Sequence, residues 1–460
     1  MMQKCDTIAA IATAMSGAGI GVVRISGEDA FEIAGKVFQP ASRQKKLEDQ
    51  KPYTMHYGNI VDGDEIIDEV IVLLMRGPHS YTAEDTVEID CHGGIYVMKR
   101  ILDLILRSGA RTAEPGEFTK RAFLNGRLDL TQAEAVMDVI HAKNEYALKS
   151  SVRQLKGSVL HLIREIREQV LYEIAFIESA LDDPEHISLD GYPAELCKKV
   201  ENLIKKTEDL LIHADQGRIL REGIQTVIVG KPNAGKSSLM NVLTGEERAI
   251  VTDIAGTTRD ILEEQIQIRG LVLNIVDTAG IRDTENVVEK IGVHRTKDSV
   301  KDADLVLYVV DSSTELDEND REIMKLLDGK RVIILLNKTD LIMKTTPEMT
   351  KKFCSGPVIC ISAKEETGME LLADLLEEMF LDGKISYNDE VYLTNIRHRS
   401  AMNQAKESLL KVRESIHLGM PEDFFSIDLM DAYETLGRIL GESVEDDLVN
   451  EIFGKFCVGK

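Results

Sequence analysis

Eight consecutive residues, Gly230-Lys231-Pro232-Asn233-Ala234-Gly235-Lys236-Ser237, fit the spacing GxxxxGK[ST] between a strand-like run, TVIVG, and a helical run, SSLMNVL. Glycines at such a turn let backbone N–H groups converge on phosphate oxygens, and the helix N-terminus that follows favours anions. Lys236 then reaches the β and γ phosphates, Ser237 can ligate magnesium, and Ser238 continues the helix start. A chance glycine-rich turn is the competing reading, and the strand and helix on either side argue against it. Downstream, Asp277-Thr278-Ala279-Gly280 ends an apolar run, where a carboxylate can hold the magnesium shell and a glycine N–H can meet the γ-phosphate. Asn337-Lys338-Thr339-Asp340 closes RVIILLNK, and Ser362-Ala363-Lys364 closes PVICISA. An aspartate there accepts from both N1–H and the exocyclic amine of guanine, whereas adenine would leave it facing an acceptor. Four elements in this order select GTP over ATP.

Between the phosphate loop and DTAG lies Thr252-Asp253-Ile254-Ala255-Gly256-Thr257-Thr258-Arg259-Asp260. One threonine of such a segment covers magnesium when the γ-phosphate is present, and Thr258 is assigned that place. Ile281 follows DTAG where Ras-like enzymes carry a glutamine that orients water. Hydrolysis therefore needs another group to position water and another positive charge on the phosphates, a role that an arginine finger fills with roughly 10³ to 10⁵ in rate.

The runs that must position these residues are TVIVG, LVLNIVD, DLVLYVVD, RVIILLNK and PVICISA. They alternate with helical stretches, which predicts a mainly parallel sheet covered on both faces, with ligands at the C-terminal ends of its strands. This α/β module spans 223–381. Before it, residues 1–125 mix β-like runs (Gly21 to Ile25, Val70 to Leu74, Val87 to Ile89) with a helix from Ile95 to Leu106, an α+β domain. Residues 126–222 are helical, with breaks at Asp182-Asp183-Pro184 and around Asp190, Gly191 and Pro193. Residues 382–460 return to helix and bury little alone, so they are expected to pack on the helices before Gly223 and make the module an insertion in a helical domain. The fold class is multi-domain: α/β and all-α, with an α+β N-terminal domain.

The formal net charge of -24, from 79 acidic against 55 basic residues, repels polyanions at long range, so any nucleic-acid contact must be local. Two basic islands stand out, Lys143, Lys149, Arg153 and Lys156, then Arg397, His398, Arg399, Lys406, Lys411 and Arg413. Solvated helix faces are the expected reading of both. The six cysteines, Cys5, Cys91, Cys197, Cys354, Cys360 and Cys457, show no CxxC pair or zinc-like spacing, which fits a reducing compartment. No run approaches the ~20 apolar residues of a membrane span. The opening MMQKCDTIAAIATAMSGAGIG runs straight into a strand-like segment and does not read as a signal peptide. A cytoplasmic protein is expected.

The strings GKPNAGKSS, TDIAGTTRD and DTAGIR followed by VEKIG resemble the MnmE (TrmE) family of bacterial tRNA-modification GTPases, of the TrmE-Era-EngA-like group. The resemblance extends through EIDCHGG, EPGEFTKRAFLNGRLDLTQAEA, LREG and the terminal Phe456-Cys457-Val458-Gly459-Lys460. It implies potassium in place of an arginine finger, bound by Asn233 and by backbone oxygens of Thr252, Ile254 and Thr257. It implies that Glu289 orients the attacking water indirectly; read on residue type alone, Glu289 is a solvated helix residue. Catalysis would then rest on Glu289, Lys236 and Asn233, with two GTPase modules facing each other.

The resemblance further implies a first domain that joins a homodimer and binds a 5-formyl or 5,10-methylene tetrahydrofolate derivative through Arg24, Glu88, Arg127 and Lys460. A pterin edge suits Glu88, and glutamate carboxylates suit arginine or lysine. Taken without the family, Arg24 and Glu88 are strand residues in exposed or ion-paired positions. Cys457 is either a functional thiol beside a basic residue or a structural cysteine. The family reaction adds a (carboxymethyl)aminomethyl group to C5 of the wobble uridine of certain tRNAs, in a heterotetramer or larger complex with a FAD-dependent partner (MnmG, or GidA). The chain has no dinucleotide fingerprint of its own, so the flavin would come from that partner. The alternative is an Era-like RNA-binding switch in ribosome assembly, which calls for a basic RNA-binding appendage.

Overall fold

The computed structural model describes residues 6–41, 46–246, 263–276, 300–301, 303–381, 393, 395–442 and 446–459. They form two compact units, one made of residues 1–140, 152–204 and 401–460, the other of 141–151 and 205–400.

In the first unit a seven-stranded sheet runs in the order β3-β4-β5-β6-β2-β1-β7. Its strands are β1 (Ile8–Ile11), β2 (Ile20–Ser26), β3 (Phe38–Pro40), β4 (Thr54–Asp62), β5 (Glu65–Met75), β6 (Thr86–His92) and β7 (Arg111–Thr112). Neighbours are antiparallel except β1 and β7. Alternation sets the two faces. Val23 and Ile25 of β2, Val72 and Leu74 of β5, and Val87 and Ile89 of β6 point inward. Helices α1 (Ala30–Val37) and α2 (Ile95–Arg107) close that core with Ile33, Met98, Ile101 and Ile105. Arg24 and Glu88, between the inward residues of their strands, are register partners on the opposite face.

That opposite face is covered near β1 by α3 (Glu117–Leu124), whose Phe118 packs with Ile8, Ala10 and Tyr81. Helices α4 (Leu130–Ile140), α5 (Glu145–Leu155), α6 (Ser158–Asp182) and α7 (Tyr192–Glu222) follow. The break at Asp182 falls where expected. The second break also falls where expected, around Asp190 and Gly191, and Pro193 is the second residue of α7, where a missing N–H costs no helical hydrogen bond.

After the second unit come α11 (Ile396–His417), α12 (Asp423–Leu440) and α13 (Asp446–Gly454), helices α8 to α10 being given below. Helix α12 packs on α6, as the poor burial of an isolated tail requires. Arg167 of α6 donates to the Tyr433 carbonyl (3.2 Å), pairs with Glu442 (2.6 Å) and stacks over the Tyr433 ring. The chain then returns to the first domain. Phe453 and Phe456 join Leu130, Ala133, Met137 and Val449 in one cluster, and the Gly116 N–H donates to the Cys457 carbonyl (3.3 Å).

The second unit is a six-stranded sheet in the order β13-β12-β11-β8-β10-β9. It comprises β8 (Ile224–Val229), β9 (Glu263–Ile268), β10 (Leu271–Val276), β11 (Leu305–Asp311), β12 (Val332–Asn337) and β13 (Val358–Cys360). All pairs are parallel except the edge pair β9 and β10. Helices α8 (Lys236–Glu246) and α9 (Glu318–Leu326) lie in the connections between strands, and α10 (Met369–Leu381) follows β13. Strands β11 and β12 are buried along nearly their whole length, the continuous apolar reading of a parallel sheet covered on both faces.

Candidate functional site

The phosphate loop leaves the C-terminal end of β8 and enters α8 at Lys236. Asn233 sits in the left-handed region at φ 61°, as does Gly235 at φ 98°. A Cβ on Gly235 would lie 2.1 Å from the Asn337 side-chain nitrogen, so only glycine allows the approach. Lys236 folds over the loop and donates to the Gly230 and Lys231 carbonyls, each at 2.7 Å. Burial pulls this ammonium below its ordinary pKa. A largely desolvated cation that, among the described residues, is held by carbonyls is a strong place for an anion, and phosphate oxygens meet that need.

Asn337 ends β12 with its side chain buried, donating to the Ala234 carbonyl (2.9 Å) and accepting from the Ala363 N–H (3.0 Å). One amide thus fastens the phosphate loop to the loop after β13. Ser362 donates to the Asp340 carboxylate (2.7 Å), and its hydroxyl accepts from the Glu365 N–H (3.2 Å). The Ser362 hydrogen bond holds the Asp340 carboxyl below the usual carboxylate range, outweighing the opposing effect of partial desolvation. Asp340 is exposed at the mouth, ionised and aimed by its neighbour, the state needed to accept two guanine donors.

Two acidic contacts were not legible as site residues. Lys338, at φ 66°, pairs with Asp311 at the end of β11 (2.6 Å). Burial pushes the Asp311 carboxyl up, but hydrogen bonds from Lys338 and Ser313 outweigh it and leave it below its ordinary range. Lys231 pairs with Asp320 (2.7 Å) and Asp317 (3.0 Å), the two residues that form the capping box of α9. The buried Tyr308 hydroxyl donates to Asp320 (2.9 Å), which fixes the carboxylate. Neither Asp311, closing DLVLYVVD, nor Asp320 carries a spacing signature, because each gets its place from a tertiary pair.

Ser237 and Ser238 are exposed at the start of α8, and Lys364 is exposed beside Ala363. Thr252, Asp253, Ile254, Ala255, Gly256, Thr257 and Thr258 lie outside the described residues, as do Asp277, Thr278, Ala279, Gly280, Glu289 and Lys460.

A second cluster forms in the first unit. Arg24 pairs with Glu88 (2.7 Å) and donates to the Gly459 carbonyl (3.2 Å), a contact between residues 435 positions apart. Its guanidinium stands over Tyr81 (5.4 Å) and Phe118 (5.6 Å). Arg127 stands over the same Tyr81 ring (5.0 Å) and donates to the Tyr81 carbonyl (3.0 Å). Asn125 fixes the segment through the Thr82 carbonyl (2.7 Å). Arg24, Glu88 and Arg127 therefore converge around Tyr81, which the sequence reading did not single out. Cys457 is exposed on the returning tail.

The basic islands divide. Lys149 pairs with Glu145 (2.6 Å) as a solvated helix face should. His398 departs from that reading, being fully buried, with Arg397 against its ring nitrogen (3.0 Å).

Comparison with known proteins is consistent along the chain. A family model described as the MnmE helical domain matches residues 130–457, and one described as the GTP-binding protein TrmE N-terminus matches residues 7–127. The chain is 56% identical over 458 residues to the tRNA modification GTPase MnmE of Lachnoclostridium phytofermentans, covering 100% of both chains. It is 49% identical over 460 residues to the protein of that name from Clostridioides difficile, covering 99% of each. With that of Enterococcus faecalis it shares 46% over 462 residues, 100% of this chain and 99% of the relative.

The Ser362–Asp340 contact sets a pH dependence. A lowered Asp340 pKa keeps the carboxylate charged as pH falls, so guanine affinity is lost only below the ordinary carboxylate range. Ser362→Ala removes the main cause of that depression, and loss of GTP affinity on acidification should begin at higher pH. Calorimetric titrations of both proteins across the acid range check this; superimposable profiles would show that Ser362 does not set the charge of Asp340.

Proposed function

The chain belongs to the MnmE family of tRNA modification GTPases, and from that membership and the geometry of the site we propose that it hydrolyses GTP in a cycle that drives tRNA modification. The observation that carries this reading is the Asn337 clasp, which holds the phosphate loop beside the loop after β13, the arrangement one guanine nucleotide would need. Lys236 leaves its two carbonyls for the phosphates, gaining charge compensation it lacks in the loop. Asp340 accepts from the guanine edge while Asn337 and the Ala363 segment hold their relative positions.

Asn233 is proposed as a potassium ligand, with the backbone oxygens of Thr252, Ile254 and Thr257. Its strained φ and exposed side chain suit a ligating role. Ser237 and Thr258 are proposed as magnesium ligands. Bound there, the two cations would supply stabilisation of developing charge on the phosphates, adding to that of Lys236. Glu289 is proposed to orient the attacking water.

In the first domain, Arg24, Glu88, Arg127 and Lys460 are proposed to bind a tetrahydrofolate one-carbon derivative. Tyr81 offers an aromatic face between two guanidinium groups, and Glu88 offers a carboxylate that a pterin donor edge can engage. Cys457, on a tail that returns to this cluster, is the candidate functional thiol. Family membership supports the remaining features: a cytoplasmic homodimer, a FAD-dependent partner of the MnmG type, and addition of a (carboxymethyl)aminomethyl group to C5 of the wobble uridine in tRNA. No described helix is long and apolar enough to cross a membrane.

GTP turnover measured in potassium should exceed that in sodium by more than about tenfold, well within what a transition-state cation supplies. Asn233→Ala should erase the difference; equal wild-type rates in the two salts would remove the potassium mechanism. For the first domain, Glu88→Ala should weaken binding of 5-formyltetrahydrofolate by about tenfold, the value of one charge-assisted hydrogen bond. An unchanged dissociation constant by fluorescence titration would withdraw the folate assignment.

A further inference from the structure

The second unit holds a cavity of about 450 Å³ at the end of its sheet opposite the phosphate loop. It is built around the N-terminal ends of β12 and β13, whereas nucleotide chemistry sits at the C-terminal ends. Val332 opens β12 and lines the cavity, and Asn337 closes the same strand, about 16 Å away by strand rise.

Its lining is cationic. Lys330 and Arg331 come from the turn between α9 and β12, and Lys351 and Lys352 from the turn before β13, with Asp328 the carboxylate among the lining residues. Lys330 donates to the Lys301 carbonyl (2.6 Å), which fixes the ammonium without neutralising it. The Arg331 guanidinium stands over the Phe380 ring at 5.5 Å. Among the described residues none of these four cations has a carboxylate partner at ion-pair distance, and Glu348 is the outlying acid whose charge interacts with Lys351.

Elsewhere in the unit Lys231, Arg218, Arg269 and Lys338 each pair with at least one carboxylate. On a chain of net charge -24, acidic partners are abundant, yet one concavity keeps four cations together without them. The floor is apolar, with Leu327 and Val332 buried and Met379 half-buried. A cationic rim over an apolar floor matches a small ligand with anionic groups on an apolar or aromatic body. The volume lies within the range of roughly 300–1,000 Å³ that small-molecule sites occupy. A long polyanion is the poorer fit, because the chain's net charge of -24 repels extended negative charge.

We propose that this cavity binds a small phosphorylated ligand carrying two or more phosphoryl charges, with Lys330, Arg331, Lys351 and Lys352 holding the phosphates. The site is separate from the guanine-nucleotide site.

ADP is a suitable probe, since its adenine is rejected by the guanine site. The full chain is first saturated with GDP and magnesium, then titrated calorimetrically with ADP, with citrate as a carboxylate-only control and unmodified tRNA as a macromolecular one. One ADP site per chain should be seen, weakened about tenfold or more by Lys351→Glu with Lys352→Glu, and also by Arg331→Ala. GDP affinity should stay unchanged in both variants, which also shows that they fold. Absence of ADP heat at millimolar concentration, ADP binding that the variants do not weaken, or citrate binding as tightly as ADP would overturn the proposal. So would tRNA binding that the variants abolish while ADP does not bind, since that would make the face an RNA contact.

Discussion

The nucleotide site depends on one buried side-chain amide. Asn337 satisfies the Ala234 carbonyl on one side and the Ala363 N–H on the other, and it approaches Gly235 so closely that no side chain fits there. Losing it would orphan two backbone groups, at a cost of about 1–3 kcal/mol each. More important is what the amide fixes: the phosphate loop after β8 and the base-reading loop after β13 are far apart in sequence and are separated in the sheet by β11 and β12. A rigid strand end supplies the common anchor, so the spacing between the two loops is fixed by the fold itself.

Charge is arranged around that anchor by the same logic. Lys231 and Lys338 are tied to Asp320 and Asp311, which leaves Lys236 as the loop cation without a carboxylate among the described residues. Pinning two cations and freeing one directs the attraction for phosphate to a single point. In the first unit, too, a long-range return of the chain assembles the site: Gly459 reaches Arg24 because Phe453 and Phe456 are buried against α4, and its φ of +91° admits a close approach to the Ile11 carbonyl.

Much of this was legible in the sequence where burial is two-sided. Strands β8, β10, β11 and β12 read as continuous apolar runs, and the phosphate-loop and NKTD spacings fell at their ends. Strand β9, EEQIQI, did not, because this edge strand carries polar residues at four of its six positions instead of an apolar run. In the first unit β4 was hidden because its polar and aromatic outer residues and Gly58 mask the period. Strands β1, β3 and β7 are too short to carry a pattern. Asp311, Asp320 and Tyr81 escaped because tertiary pairing, not local spacing, gives them their places. The family resemblance covered what periodicity could not, and full-length relatives at 46–56% identity agree with it.

The claim beneath the whole account is that Asp340 reads guanine. Calorimetry with GTP and xanthosine triphosphate, on the wild-type chain and on Asp340→Asn, tests it most directly. Xanthine presents a carbonyl where guanine presents its amine, so a carboxylate should favour GTP and an amide, which can donate, should favour the xanthine nucleotide. The account predicts that reversal, with each preference at least about tenfold. An Asp340→Asn protein that keeps wild-type preference for GTP would contradict it.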